Sequence, residues 1–340
     1  MSRVDCDVHP LTPSIEQLAP HLDEYWRSYV AECGFRQPAG IAASYPPNAP
    51  TSGLPGGGAP LGELLAHLDG SGADRAILNC VYGLEGLRNV DFASALASAV
   101  NDWLAADWLA ADARLRASIV VKAEDAEGAV REIGRRARDP RFVQVLLPAR
   151  SERPYGNRSY FPVLAAAAEA GLPVAIHFGG CTGLPPTPVG WPTHYVEEHV
   201  GMMYAFEAQL TSLVAEGAFE RLPQLRIVLA ESGFTWLPSL MWRLDKEWRG
   251  LRREIPWVST RPSESIRRHL RVTVQPIDGP GHSAALLRVL DQIGADQMLL
   301  FSSDFPHRHS AGFEQAFGGA LGTEREHAIL HANAQALYRL

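Results

Sequence analysis

Val4-Asp5-Cys6-Asp7-Val8-His9-Pro10 sets two carboxylates and an imidazole directly on what reads as a first strand. Alternate residues of a β-strand share a face, so Asp5, Asp7 and His9 are expected to point the same way. An aspartate and a histidine two apart at a strand's end can hold one metal ion, although acidic residues and histidines are also common in solvated turns. The stretch gains weight because ligand-type residues recur where later strands run out.

Working outward, Ser14 to Glu32 reads as a helix, with Ser14 as its cap and Glu16-Gln17 in the first turn. Gln37 to Pro60 is Pro, Gly, Ala, Ser and Asn, including Gly56-Gly57-Gly58, and forms no regular element. This 37–60 loop is either a surface loop or a lid over the face where strand ends converge. Leu61 to Leu68 reads as a short helix, Asp74 to Asn79 as a second strand and Val90 to Asp112 as a long helix, with Trp103, Leu104, Trp108 and Leu109 in its apolar stripe. Leu115 to Val121 and Phe142 to Leu147 are the next strands, separated by an amphipathic helix over Asp125 to Arg138. A helix over Phe161 to Ala170 ends at Gly171. Val174-Ala175-Ile176-His177 is a fifth strand, followed by Gly179-Gly180, which permit a close backbone approach. Later strands read at Arg226 to Ala230, Val272 to Val274 and Met298 to Phe301, with helices between and a terminal helix over His327 to Leu337.

Eight mostly continuous apolar strands alternating with helices form the pattern of a buried parallel sheet. The α/β reading is a single (β/α)₈ TIM-like barrel spanning 1–340, a length such barrels occupy as one domain. No G-x-G-x-x-G follows the first strand, which argues against a doubly wound dinucleotide fold. Composition agrees: 46% hydrophobic and 20% charged residues suit a globular core, and a formal charge of -7 argues against a nucleic-acid partner. Cys6, Cys33, Cys80 and Cys181 form no C-x-x-C pair, so neither a disulfide framework nor a cysteine zinc site is expected. With no signal-like N-terminus and no apolar run near the roughly 18 residues of a membrane span, the expected location is cytoplasmic.

In such a barrel the site is built at the C-terminal ends of strands. Asp7 and His9, His177, Glu231 and Asp304 sit after strands one, five, six and eight, and all are metal-ligand types. Gathering like charges in a cavity is unfavourable without a cation. His194, His199 and His307 lie near helix starts, where histidines serve as ligands, outer partners or surface groups alike.

Here the chain resembles the amidohydrolase superfamily, in particular its amidohydrolase-related branch that includes aromatic-acid decarboxylases. Asp7-Val8-His9 matches the first-strand metal motif, with Asp at its first position in place of the usual His or Glu. His177 matches the fifth-strand histidine, Asp304 in Ser-Ser-Asp-Phe-Pro-His the eighth-strand aspartate, and Asn333-Ala334 with Leu337-Tyr338 the closing helix. The branch usually carries His after strand six, where this chain has Glu231 in Glu-Ser-Gly. Phe142 to Leu147 also holds no lysine to become the carboxylated bridge of dinuclear hydrolases. Glu197 to Met202, Trp242 to Asp245, Pro262 to Glu264 and Thr273 to Pro276 resemble a subgroup containing 2-aminoisobutyrate hydroxylase and related dinuclear oxygenases.

What this resemblance implies first is a dinuclear non-haem iron, or iron/manganese, monooxygenase that uses dioxygen to hydroxylate a small or medium carboxylate-bearing substrate. Asp7, His9, His177 and Asp304 would hold one metal, with Glu231 and His199 holding or bridging to a second. Glu231, His199 and His307 are the candidate catalytic groups. The alternative is a mononuclear zinc or manganese enzyme, a hydrolase or non-oxidative decarboxylase, in which Glu231 is an acid/base. A third reading is an inactive structural partner of a homologue. Long apolar helices outside a barrel make a homodimer plausible.

Overall fold

The computed structural model describes residues 2–36, 57–180, 185–279 and 284–340. Its strands are β1 (Arg3–Val8), β2 (Ala73–Leu78), β3 (Leu115–Val120), β4 (Phe142–Pro148), β5 (Val174–His177), β6 (Ile227–Ala230), β7 (Leu270–Thr273) and β8 (Leu299–Leu300). They form one sheet in sequence order, each parallel to the next, with helices in the crossovers. The last strand returns to the first: the N–H groups of Cys6 and His9 donate to the carbonyls of Phe301 and Phe305 at 2.9 and 2.8 Å, and Asp304 N–H donates to Asp7 O at 3.0 Å. The result is a nearly closed (β/α)₈ barrel, as the alternation of elements implies.

Burial on both faces explains why the strands are apolar runs. Outward residues such as Leu78, Leu147, Ile176 and Leu229 pack with helix residues such as Leu96, Val100, Ile133 and Leu164 in one large core. Inward residues, among them Val4, Cys6, Ile77, Leu146, Ala175, Val228 and Leu300, form a second cluster with Ala334 and Tyr338 of the Asn333–Tyr338 helix. Burying one leucine or isoleucine fully contributes about 1.5–3 kcal/mol, so this two-sided packing holds the strand ends rigidly in place.

Three expectations change. Ser14 to Glu32 is not one helix: Ile15–Leu18 passes through a 3₁₀ turn at Ala19–His21, and Glu24–Cys33 starts afresh. Pro20 cannot donate within a continuing helix, and Asp23 accepts from Trp26 N–H at 2.9 Å as a new cap. The helix from Val90 ends as α-helix at Trp103 and continues as a π-turn through Leu104–Trp108, which keeps both tryptophans buried. The third concerns β1. Its register against β2 shifts between Asp5 and Val8, so strict alternation fails there. Asp5 therefore leaves the face shared by Asp7 and His9: its carboxylate accepts from Ser303 N–H at 2.9 Å and lies 3.7 Å from His67 Nε2.

Most of the 37–60 loop, with its lid reading, lies outside the described residues, as does Cys181. Its far end is tied to the first-strand motif, because Ala59 N–H donates to His9 O at 2.9 Å. A side chain at Gly58 would meet Pro10 O at 2.0 Å, so only glycine fits that approach. Among the described residues no helix is long and apolar enough to cross a membrane.

Candidate metal centre

Each strand end delivers its side chain through a particular backbone device. The β1 register shift turns Asp7 inward with His9, and β5 ends on His177. Gly180 then passes so close to Arg150 O that a Cβ would lie 2.2 Å from it, which realises the expected close approach after β5. Glu231 and Asp304 have φ of 59° and 57°, left-handed values that non-glycine residues avoid at a cost of about 1–2 kcal/mol. Hydrogen bonds hold both turns: Glu231 N–H donates to Thr273 Oγ1 at 3.0 Å, and Asp304 N–H to the Asp7 carbonyl.

The side chains converge. Asp7 Oδ1 lies 3.2 Å from His177 Nε2 and 3.3 Å from His9 Nε2, and Asp304 Oδ1 lies 2.9 Å from His9 Nε2. The ligand atoms of Asp7, His9 and His177 are all within 4.8 Å of one another, as are those of His9, Asp304 and His307. Asp7 and Asp304 are wholly buried, and the two central histidines nearly so. His177 Nδ1–H donates to Phe178 O at 2.8 Å, which fixes the ring so that Nε2 faces the centre and Asp7 Oδ1.

Charge balance follows from this crowding. Burial alone would raise the Asp7 carboxyl, but His177 and His9 hold it far below the usual range. Burial likewise opposes Asp304, yet hydrogen bonds from His307 and His309 and the close His9 imidazole bring it well below. His9 goes the other way: burial favours its neutral form, but Asp7 and Asp304 hold the imidazole well above its ordinary value. Burial pushes the Glu231 carboxyl well up, aided by the negative charges of Asp304 and Asp7. Of the three carboxyls, Glu231 is the one whose surroundings favour the protonated form.

The residues fit a divalent cation. His9 Nε2 and Asp7 Oδ2 are buried without a hydrogen-bond partner, His9 because its near carboxylates lie off the N–H direction. A cation would satisfy both atoms and replace the proton that the carboxylates otherwise hold on His9. Two imidazoles and two carboxylates suit manganese, iron or zinc.

The expected second centre is less complete. Glu231 Oε2 stands 3.9 Å from His177 Nε2, beside the cluster rather than within a converging group. His199 packs between the rings of Phe178 and Tyr195, at 5.4 and 5.7 Å, and joins no converging group among the described residues. Burial, then the charge of His309, lowers its pKa. His194 is exposed and pairs with Glu197 at 3.1 Å, away from the cluster. His307 is placed as expected, its Nδ1 2.9 Å from Asp304 Oδ1.

Two residues go unread in the sequence. His309 Nε2 reaches Asp304 Oδ2 at 2.6 Å, and its only signal is the His-x-His spacing after the eighth-strand motif. Asn79 Nδ2 donates to Asp7 Oδ1 at 2.7 Å and heads a buried network. Ser118 Oγ donates to Asn79 Oδ1 at 2.5 Å, Gln144 Nε2 to Ser118 Oγ at 2.9 Å, and Tyr338 OH to Gln144 Oε1 at 2.8 Å. The network orients Asp7 from the barrel interior. Asn79→Ala is expected to cost about 1–3 kcal/mol in urea unfolding and to weaken metal binding roughly 10–100-fold. Unchanged metal affinity in a metal-competition titration would remove Asn79 from this role.

Comparison with known proteins places this geometry in a family. The family model described as "Amidohydrolase" matches residues 4–340. A curated relative, gamma-resorcylate decarboxylase of Polaromonas sp. strain JS666, is 24% identical over 294 residues, covering 80% of this chain and 85% of that protein. In solved structures, 5-carboxyvanillate decarboxylase from Sphingomonas paucimobilis shares the fold with a TM-score of 0.72 at 20% identity, covering 100% of this chain and 99% of the other. A manganese-bound 5-carboxyvanillate decarboxylase mutant from Novosphingobium aromaticivorans also has a TM-score of 0.72, at 19% identity over 99% and 97% of the two chains. With the ends of β1, β5 and β8 delivering a ligand cluster and the family model covering nearly the whole length, this chain belongs to the amidohydrolase family as a metal-dependent enzyme.

Proposed function

We propose that the protein is a non-oxidative decarboxylase that uses one divalent metal, manganese foremost, to act on a hydroxylated aromatic carboxylic acid. The observation that carries this reading is the convergence of Asp7, His9, His177 and Asp304 around one place, with Glu231 held beside them. The names of the relatives supply the substrate class: gamma-resorcylate, 5-carboxyvanillate and 2,6-dihydroxybenzoate are all aromatic acids. They favour decarboxylation over the dinuclear oxygenase that the sequence motifs suggest, and none of their names indicates dioxygen chemistry.

When bound, the metal supplies a Lewis acid that anchors anionic oxygens of the substrate. Asp7, His9, His177 and Asp304 would hold the ion, and Asn79 and His309 orient two of the carboxylates. The carbon–carbon bond to the carboxylate breaks, carbon dioxide leaves, and the ring carbon keeps the electron pair. Glu231 delivers the proton that this carbon takes up, and the proton is regained from water. No oxidant is consumed. A narrow cleft beside His177, lined in part by Tyr82, Lys122, Leu146 and Tyr155, adjoins the cluster.

Manganese-loaded protein, assayed without oxygen against a panel of ortho-hydroxybenzoic acids, is expected to release one carbon dioxide per substrate lost. Turnover that appears only with oxygen, matched by oxygen uptake and a hydroxylated product, would overturn the reading in favour of the oxygenase.

A further inference from the structure

A cavity of about 580 Å³ opens at the N-terminal ends of the strands, the end of the barrel opposite the metal cluster. Arg226 precedes β6, Arg271 lies in β7 and Arg339 follows the closing helix, and all three line it, with Gln224, Gln297 and Glu169. Among the described residues none of the three arginines makes an ion pair, whereas Arg114, Arg135, Arg141 and Arg325 elsewhere each have a carboxylate within 3 Å. Arg226 Nη1 donates to the carbonyls of Pro223 and Leu225 at 3.1 and 2.9 Å, and Arg271 Nη1 to that of Leu270 at 2.7 Å. Each guanidinium has five N–H groups, so both retain unspent donors.

Two further observations set this place apart from ordinary surface charge. Arg339 has φ 56°, a conformation non-glycine residues avoid, and its guanidinium lies against Gly171, where a Cβ would come within 3.1 Å of Nη1. Burial and the neighbouring Arg226 charge also lower the pKa of Arg271, so the cations crowd one another. Arg226 and Arg271 are partly buried, and unpaired like charges gathered at a recess are unfavourable until an anion neutralises them.

We infer that this cavity is a binding site for a small oxyanion carrying two negative charges, either a phosphate-like group or a dicarboxylate, held between Arg226, Arg271 and Arg339. Planar guanidinium forks match both oxyanion types. Glu169, the lone carboxylate among the lining residues, leaves the set with net positive charge. The site is separate from the metal cluster, so the inference stands whether or not the decarboxylase reading does.

The test is isothermal titration of the metal-loaded protein with inorganic sulfate and, separately, succinate, in buffer with about 0.15 M chloride so that diffuse charge is screened. Saturable binding of one anion per chain is expected. Sulfate alone would indicate the phosphate-like class and succinate alone the dicarboxylate class. The Arg226→Gln, Arg271→Gln double variant should bind at least ten-fold more weakly, while His177→Ala should bind as before. Should the double variant not fold, Arg339→Gln, an exposed change, is expected to show the same direction of loss. Absence of saturable binding for both anions, or binding lost in His177→Ala but kept in the arginine variants, would overturn the inference.

Discussion

His177→Ala is expected to yield a folded protein that retains less than about a tenth of its metal after dialysis and loses about 10³-fold or more in decarboxylase activity. His177 ends β5, its ring is fixed by the Phe178 carbonyl, and its Nε2 faces Asp7 Oδ1 at 3.2 Å. Removing it takes away one of two central imidazoles and leaves Asp7 with His9 as its remaining imidazole partner. The fold should survive, because the β5 ladder is made by backbone groups and its outward residues Val174 and Ile176 are untouched. Elemental analysis with circular dichroism reads both parts. Full metal retention with a native spectrum would remove His177 from the ligand set.

Glu231→Gln separates acid from ligand. The side chain keeps its size, so metal content is expected to stay near that of the wild type. Activity should fall about 10²–10⁴-fold, the range typical of a lost general acid. The position of Glu231 supports this: it lies beside Asp304 and 3.9 Å from His177 Nε2, close enough to a substrate anchored at the cluster to serve it. Opposite behaviour, with metal lost and no acid-dependent step affected in the metal-restored variant, would make Glu231 a ligand. That outcome would also revive a second metal position.

Much of this centre is legible in the sequence because its residues stand at strand ends that periodicity locates. Val174-Ala175-Ile176-His177 gives both the strand and its ligand. The Asp7/His9 pair and Asp304 follow from the same logic, since each closes a buried run with a polar group. Asp5 misleads because a register shift depends on the partner strand, which a local pattern of alternating residues does not contain. Asn79 is silent for a related reason: one amide at the end of β2 acquires meaning only when the barrel closes it onto Asp7.

The motif stretches that suggest an oxygenase subgroup fall largely in the scaffold. Asp245 accepts from the N–H and hydroxyl of Ser263 at 2.9 and 2.7 Å, clamping the Leu237–Leu251 helix to the start of Pro262–His269. Glu197 accepts from the N–H groups of Thr193 and His194, and Glu198 pairs with Arg150 at 2.8 Å. Such residues report how helices dock around a barrel. They say little about the reaction at its mouth, which fold alone leaves open.

Metal stoichiometry tests the central claim most directly. Protein purified without added metal and analysed for manganese, iron and zinc is predicted to hold one divalent ion per chain, with manganese supporting anaerobic carbon dioxide release when reloaded. Two ions per chain, as two irons or one iron with one manganese, both needed for turnover, would contradict the one-metal decarboxylase.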